Sequence, residues 1–136
     1  METPQNNETG VSMMNYLLVL LGGGIGAVLR YLSTQGITAL VKVPFPAGTL
    51  AVNAAGALVM GFLFSLFEAH VVPAGLRLFL ITGFLGGYTT FSSYSLETAR
   101  LMLEGNIPMA LLNLLLNNGV CLLFVVLGMG AGKPAG

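Results

Sequence analysis

The sequence predicts an all-α membrane protein of four transmembrane helices, with the third broken at mid-membrane. Three observations predict it. The 136 residues are 55% hydrophobic and only 7% charged, where a soluble domain carries about 25% charged residues. Four stretches are apolar over about 20 residues, the length a helix needs to cross a bilayer. The third of them carries three glycines and then a Thr/Ser run, which makes a poor continuous helix. The length allows one compact domain. It is placed over residues 13–130, between a polar N-terminal tail (1–12) expected to be disordered and a Gly/Ala/Pro-rich C-terminal tail (131–136).

The first span runs over about Met13 to Leu32, with Arg30 near its end. No Lys or Arg precedes it, so it does not read as a secretory signal. It holds Gly22-Gly23-Gly24-Ile25-Gly26-Ala27, and small residues let helix backbones approach closely in lipid. Gly22-x-Gly24-x-x-Ala27 fits a dinucleotide-binding pattern loosely, but no strand precedes it. Lys42 to Pro46 forms a connection in which two prolines disfavour helix. The second span, about Gly48 to Phe67, is free of charge and rich in small residues (Gly48, Ala51, Ala54, Ala55, Gly56, Ala57, Gly61). Glu68 to Gly75 connects it to the third span, about Leu76 to Leu96, with Arg77 at its start. Glu97 to Ile107 carries Arg100 and Glu104 and leads to the uncharged fourth span, about Pro108 to Gly130.

Charge narrows the function classes. The formal net charge is zero, so there is no basic face for nucleic acid. The single cysteine, Cys121, lies inside an apolar run and forms no intrachain disulfide. One His (His70) and one Cys, far apart in sequence, make no metal-ligand cluster. No nucleophile, base or metal constellation marks an enzyme. The positive residues divide three against two, with Arg30, Lys42 and Arg100 on one side and Arg77 and Lys133 on the other. Positive charges on cytoplasmic loops normally set orientation. So weak a bias permits insertion both ways round, and two such orientations can pair antiparallel. A single topology set by other details is the alternative.

Polar residues inside the spans carry the functional signal. Asn53 lies four residues after Thr49, on the same helix face. A buried amide without a partner costs roughly 2–7 kcal/mol, so Asn53 bonds either to a neighbouring helix or to a ligand. Two amide hydrogens suit an anion; glue between helices is the other reading. In the fourth span Asn113, Asn117 and Cys121 recur every four residues, with Asn118 beside them. That stripe reads as a hydrated track, without the titratable groups of a proton relay. Phe91 and Tyr94 share a face beside Thr90 and Ser93. Positive ring edges favour an anion, although stacking between helices is also open to them. The break at Gly83 to Ser95 frees backbone groups that need partners in the protein or a cavity. An ion site is one solution, and close packing through small residues is the other.

These residues resemble the small fluoride channel family (Fluc/CrcB type), from about Gly22 to Gly128. The motifs are Gly23-x-x-Gly26-Ala27-x-x-Arg30 and Gly48-Thr49-Leu50-x-Val52-Asn53-x-x-Gly56. The third and longest is Thr82-Gly83-Phe84-Leu85-Gly86-Gly87-x-Thr89-Thr90-Phe91-Ser92-x-x-Ser95-x-Glu97-Thr98. The resemblance implies a multi-pass protein of the cell membrane that assembles as an antiparallel, dual-topology homodimer. It implies two fluoride-selective pores that passively export the ion from the cytoplasm and lower its toxicity. It further implies a structural sodium ion on the dimer axis, held by the carbonyls of Gly86 and Thr89. Asn53 matches the family's pore asparagine and Phe91 the first of two pore phenylalanines. Tyr94 stands where the second phenylalanine is usual. Asn113, Asn117 and Cys121 replace the usual Tyr, Ser and Ser or small residue. Ser93 and Thr49 are implied along the track, and Arg30 near one mouth. The alternative is a small proton-coupled multidrug exporter, which needs an acidic residue within a span, whereas Glu68, Glu97 and Glu104 lie at span ends. A membrane subunit that transports nothing and packs with partner proteins is a third reading.

Overall fold

The computed structural model describes residues 12–134, which form helices and turns without a strand. Helix α1 (Met13–Leu40) is capped by Ser12, whose hydroxyl accepts from the Met14 amide at 3.0 Å. Helix α2 (Ala47–Ala69) follows the Pro-containing turn. A short α3 (Ala74–Arg77) continues through a π-helical stretch (Leu78–Leu85) into α4 (Gly86–Tyr88). The chain then breaks at Thr89 and Thr90 and resumes as α5 (Phe91–Leu103). Helix α6 (Ile107–Ala131) closes the bundle. The expected tail over residues 1–12 lies outside the described residues apart from Ser12, as do 135 and 136 of the C-terminal tail.

Three helices, α1, α2 and α6, are long and apolar enough to cross a membrane, so the protein is a multi-pass membrane protein. The third expected span is divided, because the break separates its two arms. Two boundaries differ from the sequence reading. Helix α1 continues past Leu32 to Leu40 because its last turns are packed: a Cβ at Gly48 would lie 2.8 Å from the Thr34 carbonyl and 2.8 Å from the Thr38 hydroxyl. Helix α5 continues past Leu96 to Leu103, which shortens the expected Glu97–Ile107 connection to a tight turn. Gly105 adopts φ 78°, open to glycine at little cost, and the Asn106 amide donates back to the Leu101 carbonyl at 2.8 Å.

Backbones meet directly where glycines allow it. On α2 and α6, a Cβ at Gly61 would collide with the Val125 carbonyl and one at Gly128 with the Leu58 carbonyl. Helix α1 makes the same kind of contact with the π-helical stretch and α4, through Gly22, Gly26 and Gly87. Gly24 meets nothing within 4 Å, so the glycine run packs through one face only. The fully buried large side chains are Leu85, Val52 and Asn113. Apolar side chains such as Leu20, Val28, Leu115 and Leu122 point outward, as suits a lipid surround. Arg77 ties the α2 end to α3, donating to the Phe67 carbonyl at 2.8 Å and facing Glu68 at 3.5 Å.

Candidate functional site

The site is built around the break. Thr89 (φ −81°, ψ 158°) and Thr90 (φ −149°, ψ 114°) are both extended. A continuous helix would send the Thr90 amide to the Gly86 carbonyl and the Ser93 amide to the Thr89 carbonyl. Both are diverted. The Thr90 amide donates to Asn53 Oδ1 at 2.8 Å, and the Ser93 amide donates to the Thr90 hydroxyl at 3.1 Å. Thr90 thereby caps α5, satisfying an amide the helix start would leave orphaned. The carbonyls of Gly86 and Thr89 lose their helical partners in the process. Arg30, inside α1, donates to the Thr89 carbonyl at 3.3 Å.

Asn53 clamps the break with both ends of its amide. Its Oδ1 accepts from Thr90 N while its Nδ2 donates to Thr90 O at 3.0 Å. The remaining amide hydrogen goes to Asn117 Oδ1 at 3.1 Å. From there the polar stripe continues as a bonded chain. Asn117 Nδ2 donates to Asn113 Oδ1 at 2.8 Å, and Asn113 Nδ2 donates to Thr98 Oγ1 at 2.9 Å. Thr98 in turn donates to the Tyr94 carbonyl at 2.8 Å. Asn113, Asn117 and Thr98 are buried. Every link satisfies a group whose desolvation would otherwise be costly, so the stripe locks α2, α5 and α6 together.

Beside the clamp lies a groove of about 310 Å³, lined by Asn53, Gly56, Ala57, Met60, Thr89, Thr90, Phe91, Tyr94, Asn117, Asn118, Cys121 and Val125. Phe91 and Tyr94 meet edge to face, with ring centroids 5.3 Å apart and planes at 66°. Phe91 is 77% exposed whereas Tyr94 is buried at 6%, so Phe91 marks the open side. The Tyr94 phenol oxygen accepts from Asn118 Nδ2 at 2.9 Å.

Of the pore residues expected from the sequence, Asn53, Phe91, Tyr94 and Asn117 come together at this groove, whereas Thr49, Ser93, Asn113 and Arg30 are not among its lining residues. Thr49 is buried and donates to Glu97 Oε1 at 2.6 Å, which anchors α2 to α5. The other Glu97 oxygen, Oε2, is buried with no hydrogen-bond partner among the described residues. Ser93 belongs to the cap of α5, accepting from the Thr90 hydroxyl at 3.0 Å. Asn113 is an interior link of the stripe. Arg30 stands beside the break, because α1 runs on well beyond it. Of the two readings open for Asn53, the bond to neighbouring elements is the one seen, with both amide hydrogens given to protein acceptors. Asn118 and Cys121, which the sequence places on the polar stripe, line the groove, and so does Met60, which the sequence did not single out. Asn118 meets Tyr94 across 24 positions of sequence, a pairing no local spacing signals.

The amino-acid sequence is similar to those of known proteins. The family described as "CrcB-like protein, Camphor Resistance (CrcB)" matches over residues 17–129. A Hydrogenobaculum sp. (strain Y04AAS1) protein named "Fluoride-specific ion channel FluC" is 46% identical over 121 residues, covering 88% of this chain and 98% of its own. Proteins of the same name are similar from Magnetococcus marinus, 44% identical with 88% and 98% covered, and from Parabacteroides distasonis, 41% identical with 89% and 94% covered.

Proposed function

The chain belongs to the CrcB-like family, and from that premise we propose that it is a passive, fluoride-selective channel of the cell membrane rather than an enzyme. It exports fluoride from the cytoplasm and so lowers its toxicity. Fluoride enters a cell as neutral hydrogen fluoride from acid surroundings and dissociates at neutral pH. An open path then lets the membrane potential, about 2.3 kcal/mol per charge per 100 mV, drive the anion out.

The observation that carries this reading is the groove at the break, where Phe91 and Tyr94 line one cavity with Asn53, Thr89, Thr90 and Asn117. A filter works by replacing an ion's hydration with protein dipoles held in place. Asn53 and Asn117 keep the break in shape, and Phe91 presents its ring on the open side. Thr49, Ser93, Asn113 and Arg30 hold the helices and the cap from behind. The proton-coupled exporter is not favoured, since the groove is lined by amides, hydroxyls and rings rather than carboxylates.

The reading extends to assembly. Two copies in opposite orientation form a homodimer with two pores, with the exposed Phe91 side of each subunit at the interface. The carbonyls of Gly86 and Thr89 from each copy would then hold the sodium ion. The donor chemistry fits: both carbonyls are separated from their helical amides at the break, and carbonyl oxygens suit a hard cation. A carbonyl has two lone pairs, so Thr89 can accept from Arg30 and still offer an oxygen. Sodium, when bound, would tie the two copies together through these oxygens.

The test is efflux from liposomes loaded with potassium fluoride, followed with a fluoride electrode after valinomycin, with chloride-loaded liposomes in parallel. Rapid fluoride release with negligible chloride release is expected. Folded protein that releases no fluoride would sink the reading.

A further inference from the structure

The hydrogen-bond donors facing the groove can be followed atom by atom. Asn53 gives its amide hydrogens to Thr90 O and Asn117 Oδ1. Asn117 Nδ2 is occupied by Asn113, at 2.8 Å to Oδ1 and 3.3 Å to the carbonyl. The Thr89 hydroxyl donates to Leu85 O and the Thr90 hydroxyl to Ser93 Oγ, each at 3.0 Å. Asn118 Nδ2 donates to Leu114 O at 2.7 Å and to Tyr94 Oη at 2.9 Å. A carbonyl only accepts, so Leu114 O fixes which end of the Asn118 amide faces it. The amide nitrogen must therefore be the atom next to the phenol, and the phenol oxygen must be the acceptor.

A phenol that accepts through its oxygen still has its own hydrogen to donate. The Tyr94 hydroxyl donates to no group among the described residues, and Tyr94 lines the groove. The other lining side-chain donor without a bond is the Cys121 thiol, a weak one. We propose that the Tyr94 hydroxyl is the strong side-chain donor to the anion in this groove. Asn118 is its positioning residue: by donating to the phenol oxygen, it holds the phenol in place and leaves the hydroxyl hydrogen to be offered to the ion. Where a phenylalanine would offer only a ring edge, this chain offers an O–H. Hydrogen bonds to ionised partners are shorter and stronger than neutral ones. A small, charge-dense anion gains more from such a bond than a larger halide does, so the hydroxyl favours fluoride over chloride.

The proposal rests on the fluoride-channel reading, and its test separates the two. Fluoride efflux from liposomes is measured against internal fluoride concentration for the wild type, Tyr94→Phe, Asn118→Leu and the double variant. Tyr94→Phe is expected to slow fluoride efflux roughly tenfold, as the loss of a hydrogen bond to a charged group predicts. Asn118→Leu is expected to slow it by about threefold, a fraction of that bond, and to add nothing in the Tyr94→Phe background. Each variant is first compared with the wild type by size-exclusion chromatography. Should Tyr94→Phe fail to fold, Asn118→Leu decides, since it must raise the half-saturating fluoride concentration if Asn118 acts through the phenol. Wild-type efflux unchanged by Tyr94→Phe overturns the donor role. An Asn118→Leu effect that persists without the hydroxyl overturns the positioning role. A wild type that releases no fluoride overturns the channel reading itself.

Discussion

The α2–α6 seam and the break between α4 and α5 hold helices together by opposite means. At the seam, Gly61 and Gly128 let backbone touch backbone, and the contact depends on atoms that are missing. At the break, Asn53 and Thr90 supply atoms that the backbone has lost, and the contact depends on polar groups all being paired. Without a hydrophobic driving force between helices in lipid, close van der Waals approach does the general holding. Polar pairing is used where the chain must leave helical geometry at membrane depth. A seam of the first kind tolerates no added volume, and a site of the second kind tolerates no lost partner.

The largest effect should come from filling the seam. Gly128→Ala places a Cβ against the Leu58 carbonyl, and overpacking there should cost about 3 kcal/mol or more. Thermal unfolding in detergent should show a much lower midpoint, and an unchanged midpoint would mean that the seam relaxes freely. Next comes Asn53→Ala, which strands the Thr90 amide and carbonyl. A loss of about 2–4 kcal/mol together with loss of fluoride efflux is expected, and Asn53→Asp should not restore it, because a carboxylate keeps the acceptor for the Thr90 amide but sets its second oxygen against two acceptors, Thr90 O and Asn117 Oδ1. Phe91→Ala sharpens the contrast, because the ring is exposed. Its melting midpoint should fall less than that of Asn53→Ala, while fluoride efflux falls by up to about tenfold, on the scale of an aromatic edge contact. Full transport in both Asn53→Ala and Phe91→Ala would break the pore assignment. The smallest effect belongs to Gly119→Ala, where nothing lies within 4 Å of a new Cβ. It should stay within about 0.5 kcal/mol of the wild type, or gain slightly from the better helix propensity of alanine.

Particular residues show where sequence reasoning reaches and where it stops. The run Gly83 to Ser95 announces an interruption by composition alone, and the extended residues Thr89 and Thr90 lie inside it. Ser33-Thr34-Gln35-Gly36 looks like the end of a span, yet α1 continues because Thr34 and Thr38 pack against Gly48. Thr49 and Asn53 share a face, as their spacing requires, but Thr49 meets Glu97 on α5 while Asn53 meets the break one turn away. The stripe through Asn113 and Asn117 was visible as a period of four. That its amides would be consumed by each other and by Asn53 was not.

By itself the sequence determined the class of protein, the number of apolar stretches, the small-residue faces and the approximate place of the interruption. These follow from composition, helical period and local propensity, which act over a few residues. Tertiary structure alone decided that Asn53 is a clamp rather than a free donor, that Arg30 attends the Thr89 carbonyl and that Asn118 meets the Tyr94 phenol. Helical period assigns a side chain to a face of its own helix. Which face of which other helix it meets depends on how the backbones approach, and so on contacts between residues far apart in sequence.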